Sequence, residues 1–258
     1  MYMKRNLILA GVVVSVLIFA VAASGCITTG TPKEKVLVVG TSADFPPFEY
    51  KNPKTGNITG FDMDLIKMVA KKIGYDKVEI KDMSFDSLIP ALQTGKVDVV
   101  IAGMTITPKR EQVVDFSIPY WKADQAVVVR KGSGIKISSP EDLKGKTIGV
   151  ETGTTGALYV KDKLGNSVTM KEYSTYVAAL QALLNGQVNV LVIDSPVANM
   201  FIHKYPSLEI AYVIQTNEHY GIAVRKGNKE LLNKINSALK EIMNSPEWNK
   251  LVAKYFGG

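Results

Sequence analysis

Nine short runs rich in valine and isoleucine alternate with helix-like stretches from Val36 onward, and this alternation constrains the chain more than any single motif. The runs are VLVVGTS (36–42), VEIKDM (78–83), VDVVIAG (97–103), AVVVRK (126–131), TIGVE (147–151), VTMKEY (168–173), VNVLVID (188–194), IAYVIQ (210–215) and GIAVRK (221–226). Several are apolar throughout, the pattern of strands buried on both faces of a parallel sheet. Between them, GFDMDLIKMVAKKIGY places Phe61, Leu65, Ile66, Val69 and Ile73 on one helical face. In SFDSLIPALQTG, Ser84 stands where an N-cap is expected, and Phe85, Leu88, Ile89 and Leu92 share a face. The tail predicts two helices divided at Ser245-Pro246. Strands alternating with helices predict an α/β protein.

One helix–strand unit occurs twice. LIPALQTGKVDVVIAG (88–103) matches ALQALLNGQVNVLVID (179–194) at an offset of 91 residues, which predicts two similar lobes. The echo aligns Gly103 with Asp194, each at a strand end. Ligands of open α/β sheets bind beyond the carboxyl ends of strands, so facing lobes would bring these two ends to one cleft.

Composition removes several function classes. A 258-residue chain that is 46% hydrophobic and 21% charged is a folded protein with room for one large or two small domains. Its net charge of +7 is not gathered into runs, which argues against nucleic-acid binding. One Cys allows no internal disulfide, and with two His it makes a His/Cys zinc site unexpected. No metal or cofactor is expected. GVETGTTGAL (149–158) lacks the Lys-Ser/Thr of a P-loop and the spacing of a dinucleotide fingerprint. No Gly-x-Ser-x-Gly occurs, and His203 and His219 lack partners at catalytic spacing.

The N-terminus reads as a targeting segment. Lys4 and Arg5 precede an apolar run from Leu7 to Ala23, and Ala23-Ser24-Gly25 leads into Cys26. This is the layout of a signal peptide over 1–26 with a lipoprotein box, although Ala23 stands where Leu is usual. A single uncleaved anchor is the alternative. Residues 27–34 read as a flexible tether. Both readings place the rest of the chain outside the cytoplasm.

Four places could carry chemistry. In AGMTITPKREQVVDF (102–116), Thr107 suits an N-cap and Pro108 the first helical position, which puts Arg110 in the first turn. Free amides, the Thr105 hydroxyl and the Arg110 guanidinium would form a carboxylate or phosphate receptor. A solvated surface Arg is the alternative. The Gly153-Thr154-Thr155 turn reads either as a weak anion site or as a plain turn. Asp194 either caps the next helix or holds a ligand ammonium; with Arg110 it would make a zwitterion receptor. Phe45 ends a strand and could stack on a ligand, Phe48 reads as core, and Phe85 opens a helix.

Taken in order, TSADFPPFEY, GFDMDL, LIPALQTGKVDVVIAGMTITPKR, VDFSIPY, DLKGKTIGVETGTT and VIDSPVA resemble the family 3 solute-binding proteins of polar amino acid ABC importers, with the glutamine- and arginine-binding members most similar. The resemblance runs from Val36 to Phe256. It implies a two-lobed periplasmic-binding-protein (Venus flytrap) fold with two crossover hinge strands, one lobe over 35–124 plus 218–258 and the other over 125–217. It assigns Arg110 to the ligand carboxylate and Asp194 to the ammonium. Gly103, Thr105, Thr154 and Thr155 then bind carboxylate and amine, and Phe45 and Phe85 enclose the side chain. The implied partners are an amino acid, an ABC permease and the membrane through a lipid on Cys26; the implied state is an anchored, extracytoplasmic monomer with no enzymatic activity. Relatives carry Asp at Ser42, and glutamine binders carry Lys at Glu151 and His at Ile193. Glu151 would favour a cationic side chain, and Ser42 argues the other way. The expectation is glutamine or another polar uncharged amino acid, with arginine or lysine as the alternative. A cyclohexadienyl dehydratase of the same fold is a more distant one.

Overall fold

Two five-stranded sheets organise the computed structural model, which describes residues 34–257. The first runs in the order Lys77–Asp82, Val36–Thr41, Val99–Val100, Ala223–Arg225, Val114–Phe116. The second runs Thr169–Tyr173, Thr147–Glu151, Val190–Asp194, Trp121–Arg130, Leu208–Tyr220. In each sheet the first three strands are parallel and the last two pair antiparallel. The two sheets therefore share one order and one set of directions, as the repeated helix–strand unit leads one to expect.

The reading of the apolar runs as parallel strands needs correction. Ala126–Val129 and Ala223–Val224 are fully buried, yet their strands are antiparallel to their neighbours. The reason is double-sided burial. Ala126 and Val128 face one apolar cluster, and Val127 and Val129 face another. A strand covered on both faces reads as a continuous apolar run whatever its direction. The edge strands Lys77–Asp82 and Thr169–Tyr173 alternate instead, because one face meets solvent.

Helix boundaries follow local chemistry. Thr107 Oγ1 accepts from Arg110 N at 3.2 Å and Pro108 begins the helix Pro108–Glu111. Thr154 Oγ1 accepts from Ala157 N at 3.2 Å at the start of Thr155–Tyr159. Ser84 departs from the expected cap: its hydroxyl donates to Asp86 Oδ1 at 2.6 Å, and a 3-10 turn, Phe85–Ser87, comes before the helix Leu88–Gln93. The tail forms Lys229–Met243 and Pro246–Phe256.

The chain passes between the sheets through Trp121–Arg130 and Leu208–Tyr220, which pair from Arg130–Leu208 to Trp121–Tyr220. Their register breaks between Ile214 and Glu218. There the Asp124 carboxylate accepts from Thr216 N at 2.9 Å and Asn217 N at 2.8 Å, and Asn217 takes φ 52°, a conformation asparagine tolerates well. Cys26 and the rest of residues 1–33 lie outside the described residues. Among the described residues no helix is long and apolar enough to cross a membrane.

Candidate ligand-binding site

The carboxyl ends of corresponding strands in the two sheets converge on one cavity of about 300 Å³. All nine residues singled out from the sequence line it: Phe45, Phe85, Gly103, Thr105 and Arg110 from the first lobe, and Glu151, Thr154, Thr155 and Asp194 from the second. Ser42, Asp44, Glu49, Ala102 and Tyr176 complete the wall.

Arg110 is nearly buried, yet its guanidinium is held at three points. Nη1 donates to Thr105 O at 2.7 Å, Nη2 donates to Gly153 O in the opposite lobe at 3.1 Å, and Phe85 lies 5.2 Å beneath it. Burial pulls its pKa down, while Glu218 and Asp194 oppose that. Gly153 takes φ +81°, and a Cβ there would lie 3.1 Å from Asp86 Cβ and 3.3 Å from Asp86 Cα across the cleft. A glycine at this point lets the lobes meet.

Asp194 follows the last apolar strand residue and precedes the helix Ser195–Lys204, but its carboxylate makes no cap bond. Oδ2 instead accepts from Tyr220 Oη at 2.5 Å and Oδ1 from Gln125 Nε2 at 2.8 Å. Burial, followed by the neighbouring Glu218, pushes its pKa up to about 7. Asp194 therefore does not cap the helix through its side chain, and the residue lies in the cavity wall.

Beneath Gly103 lie two buried acids. Asp62 Oδ2 accepts from Gly103 N at 2.9 Å and from Tyr120 Oη at 2.8 Å, which fixes the Gly103 turn at φ +51°. Burial pushes Asp62 up to about 6, and burial followed by the neighbouring Asp62 pushes Glu49 well above the carboxylate range. Glu151 is pushed up to about 10 by burial and by Asp44, Asp194 and Asp86, and its Oε1 has no partner in the protein.

Sequence reasoning missed Asp44, Glu49 and Tyr176 in the wall and Glu218 behind it. Glu218 Oε2 accepts from Thr105 Oγ1 at 2.7 Å and Thr155 Oγ1 at 2.6 Å, and Oε1 accepts from Gln125 Nε2 at 3.2 Å. The hydroxyls of Thr105 and Thr155 are thus engaged by the hinge strand, which leaves backbone amides and Arg110 to meet an anion. The motif ADFPPFEY did carry a signal for Asp44 and Glu49, since Asp44 precedes Phe45 and Glu49 follows Phe48; nothing local marks Glu218. Among the described residues no three His, Cys, Asp or Glu are arranged to hold a metal ion.

Comparison with known proteins gives one consistent picture. The family model for bacterial extracellular solute-binding proteins, family 3, matches residues 37–258. The chain is 38% identical to the arginine-binding extracellular protein of Bacillus subtilis (strain 168), over 99% of each chain. It is 41% identical to a probable histidine-binding protein of Neisseria gonorrhoeae, covering 86% of this chain and 83% of that one. An ancestral arginine-binding protein solved with arginine is 48% identical, with a TM-score of 0.81 over 87% of this chain and 99% of that one. The same ancestral protein solved with glutamine gives a TM-score of 0.82. The two-lobed fold inferred from the motifs is therefore the fold of these neighbours.

Proposed function

The chain belongs to family 3 of the bacterial extracellular solute-binding proteins, and from that premise we propose that it captures an amino acid with a cationic side chain, arginine foremost, for delivery to an ABC import permease. The charge balance of the cavity carries this reading. Arg110 is the sole cationic side chain in its wall, against the carboxyls of Asp44, Glu49, Glu151 and Asp194. Arg110 and Asp194 suffice for the carboxylate and ammonium of any amino acid. That leaves Glu151, whose Oε1 has no partner in the protein, with no counter-charge. A buried carboxylate without a partner is expensive, so burial holds such groups protonated until a cation displaces the proton. A guanidinium beside Glu151 Oε1 supplies that cation and a fork of donors. The arginine-binding relatives support the same choice.

The family binds solutes without chemistry, so the protein is not an enzyme, and the dehydratase alternative falls away. Glutamine is the second reading: Ser42 leaves room, and a neutral Glu151 can pair with a carboxamide as well as a charged one can with a guanidinium. Residues 1–26 support export and a lipid on Cys26, and the fold of one chain encloses the whole cavity, in keeping with a monomer. We place the lobe division within the paired strands Trp121–Arg130 and Leu208–Tyr220.

A thermal-shift screen against the common amino acids tests the function. Ligand at about 100 times its dissociation constant stabilises by about 2.7 kcal/mol, a readily measured shift. Arginine is expected to give the largest shift. A larger shift with glutamine overturns the cationic reading, and none with any amino acid overturns the class of ligand.

A further inference from the structure

Asp44 stands at one end of the cavity, in the two-residue strand Asp44–Phe45 of the first lobe. Its carboxylate crosses the cleft. Oδ2 accepts from the backbone N–H of Tyr176, at 2.6 Å, the first residue of the helix Tyr176–Leu184 in the second lobe. That helix already has a cap of its own, since Thr175 Oγ1 accepts from Ala178 N at 3.1 Å. Asp44 therefore satisfies a second open donor at the positive end of the helix, from the opposite lobe. Ser42 Oγ donates to Asp44 Oδ1 at 3.3 Å and steadies the carboxylate. The adjacent Phe45 ring stacks on the Tyr176 ring, with centroids 5.5 Å apart and planes 28° apart. Two neighbouring residues of one lobe thus hold one residue of the other, by a charge-assisted hydrogen bond and by an aromatic contact.

We propose that Asp44 is a positioning residue that latches the closed cleft by capping the helix Tyr176–Leu184 from the opposite lobe. The latch joins protein to protein, through the Tyr176 N–H and the Ser42 hydroxyl, so its loss should act alike on every ligand. It forms whenever the lobes meet, in the ligand-free protein as well as after capture. Asp44 therefore sets how long a ligand stays, while Arg110 and Asp194 set whether it is gripped.

Stopped-flow binding of arginine and of glutamine to the full chain tests this through its kinetic split, which rests on the amino-acid reading above. Asp44→Ala should raise the dissociation rate of both ligands by about tenfold, the effect of losing one charge-assisted hydrogen bond. The association rate should stay within about twofold. Asp44→Asn should fall between, because its carbonyl still accepts from Tyr176 N–H, and it also guards against a misfolded alanine variant. Unchanged dissociation overturns the latch. Faster dissociation of arginine alone makes Asp44 a charge contact to the ligand and also overturns it. If the unaltered protein binds no amino acid, the function reading fails, and solution scattering still decides the latch. Asp44→Ala should then enlarge the ligand-free particle, and an unchanged radius of gyration overturns the proposal.

Discussion

The two lobes are built on the same sheet and furnish the cleft differently. Register pairs Val39 with Val99 in one and Ile148 with Val190 in the other, so Ser42 corresponds to Glu151, as Gly103 does to Asp194. All four line the cavity. At both positions the first lobe offers a small residue and the second an acid. The first lobe instead contributes Arg110, Phe45 and Phe85 on a base fixed by Asp62. On the function proposed above, the duplicated scaffold divides its labour: Arg110 of one copy grips the carboxylate, and Glu151 and Asp194 of the other meet positive charge, beside Asp44 and Glu49 from the first. Specificity in such a pair lies in where the copies differ, since what they share only builds the walls.

The sharpest way to break this comparison is to remove the first lobe's grip. Arg110→Ala leaves a ligand carboxylate buried and unpaired, which costs about 2–5 kcal/mol, or about thirty- to several thousand-fold in affinity for every amino acid. Calorimetry showing the loss for some ligands and not others would mean that the lobes do not divide the work as described.

A smaller effect is expected where the lobes touch. Gly153→Ala brings a methyl against Asp86 in the closed form and strains a backbone at φ +81°. The contact exists only on closure, so affinity should fall about tenfold while the variant still folds, at a strain of about 1–2 kcal/mol. Unaltered affinity would show that closure leaves more space at this edge than the structure does.

Proton linkage sharpens the second lobe's role. Asp194 titrates at about 7 in the free protein, facing Glu218, Arg110 and the Tyr220 hydroxyl. Its folded pKa lies above the unfolded value, so the folded protein holds more protons than the unfolded chain between about pH 4 and 7. Asp194 therefore lowers the free protein's stability as pH rises through that window. Ligand binding runs the other way, because an ammonium needs the carboxylate and expels its proton. Affinity should climb as pH rises from 6 toward 8, by less than about tenfold per unit, with protons released to buffer. Titration calorimetry in two buffers of different ionisation enthalpy reads both signs.

Much of this was legible in the chain itself. The nine apolar runs became strands, and the repeated helix–strand unit foreshadowed two sheets of one design. Arg110 could be placed because Thr107 and Pro108 fix a helix start three residues earlier, a purely local signal. Strand direction was hidden, since burial on both faces erases the alternation that would reveal it. Glu218 was hidden too. It lies in a polar stretch, QTNEHYG, between two predicted strands, and only the pairing of two distant strands brings it beneath Thr105 and Thr155. Asp44 and Glu49 sat beside aromatics, but the Tyr176 amide that Asp44 meets and the Asp62 carboxyl near Glu49 are set by tertiary contacts.

Charge reading by the second lobe is the central claim, and Glu151 tests it most directly. Titration calorimetry of arginine and of glutamine, on the unaltered protein and on Glu151→Gln, compares the two ligands at one atom's difference in the wall. The account predicts that arginine binds more tightly to the unaltered protein, and that the substitution weakens arginine about tenfold while glutamine changes little. Tighter binding of glutamine to the unaltered protein, or equal losses for both ligands, would contradict it.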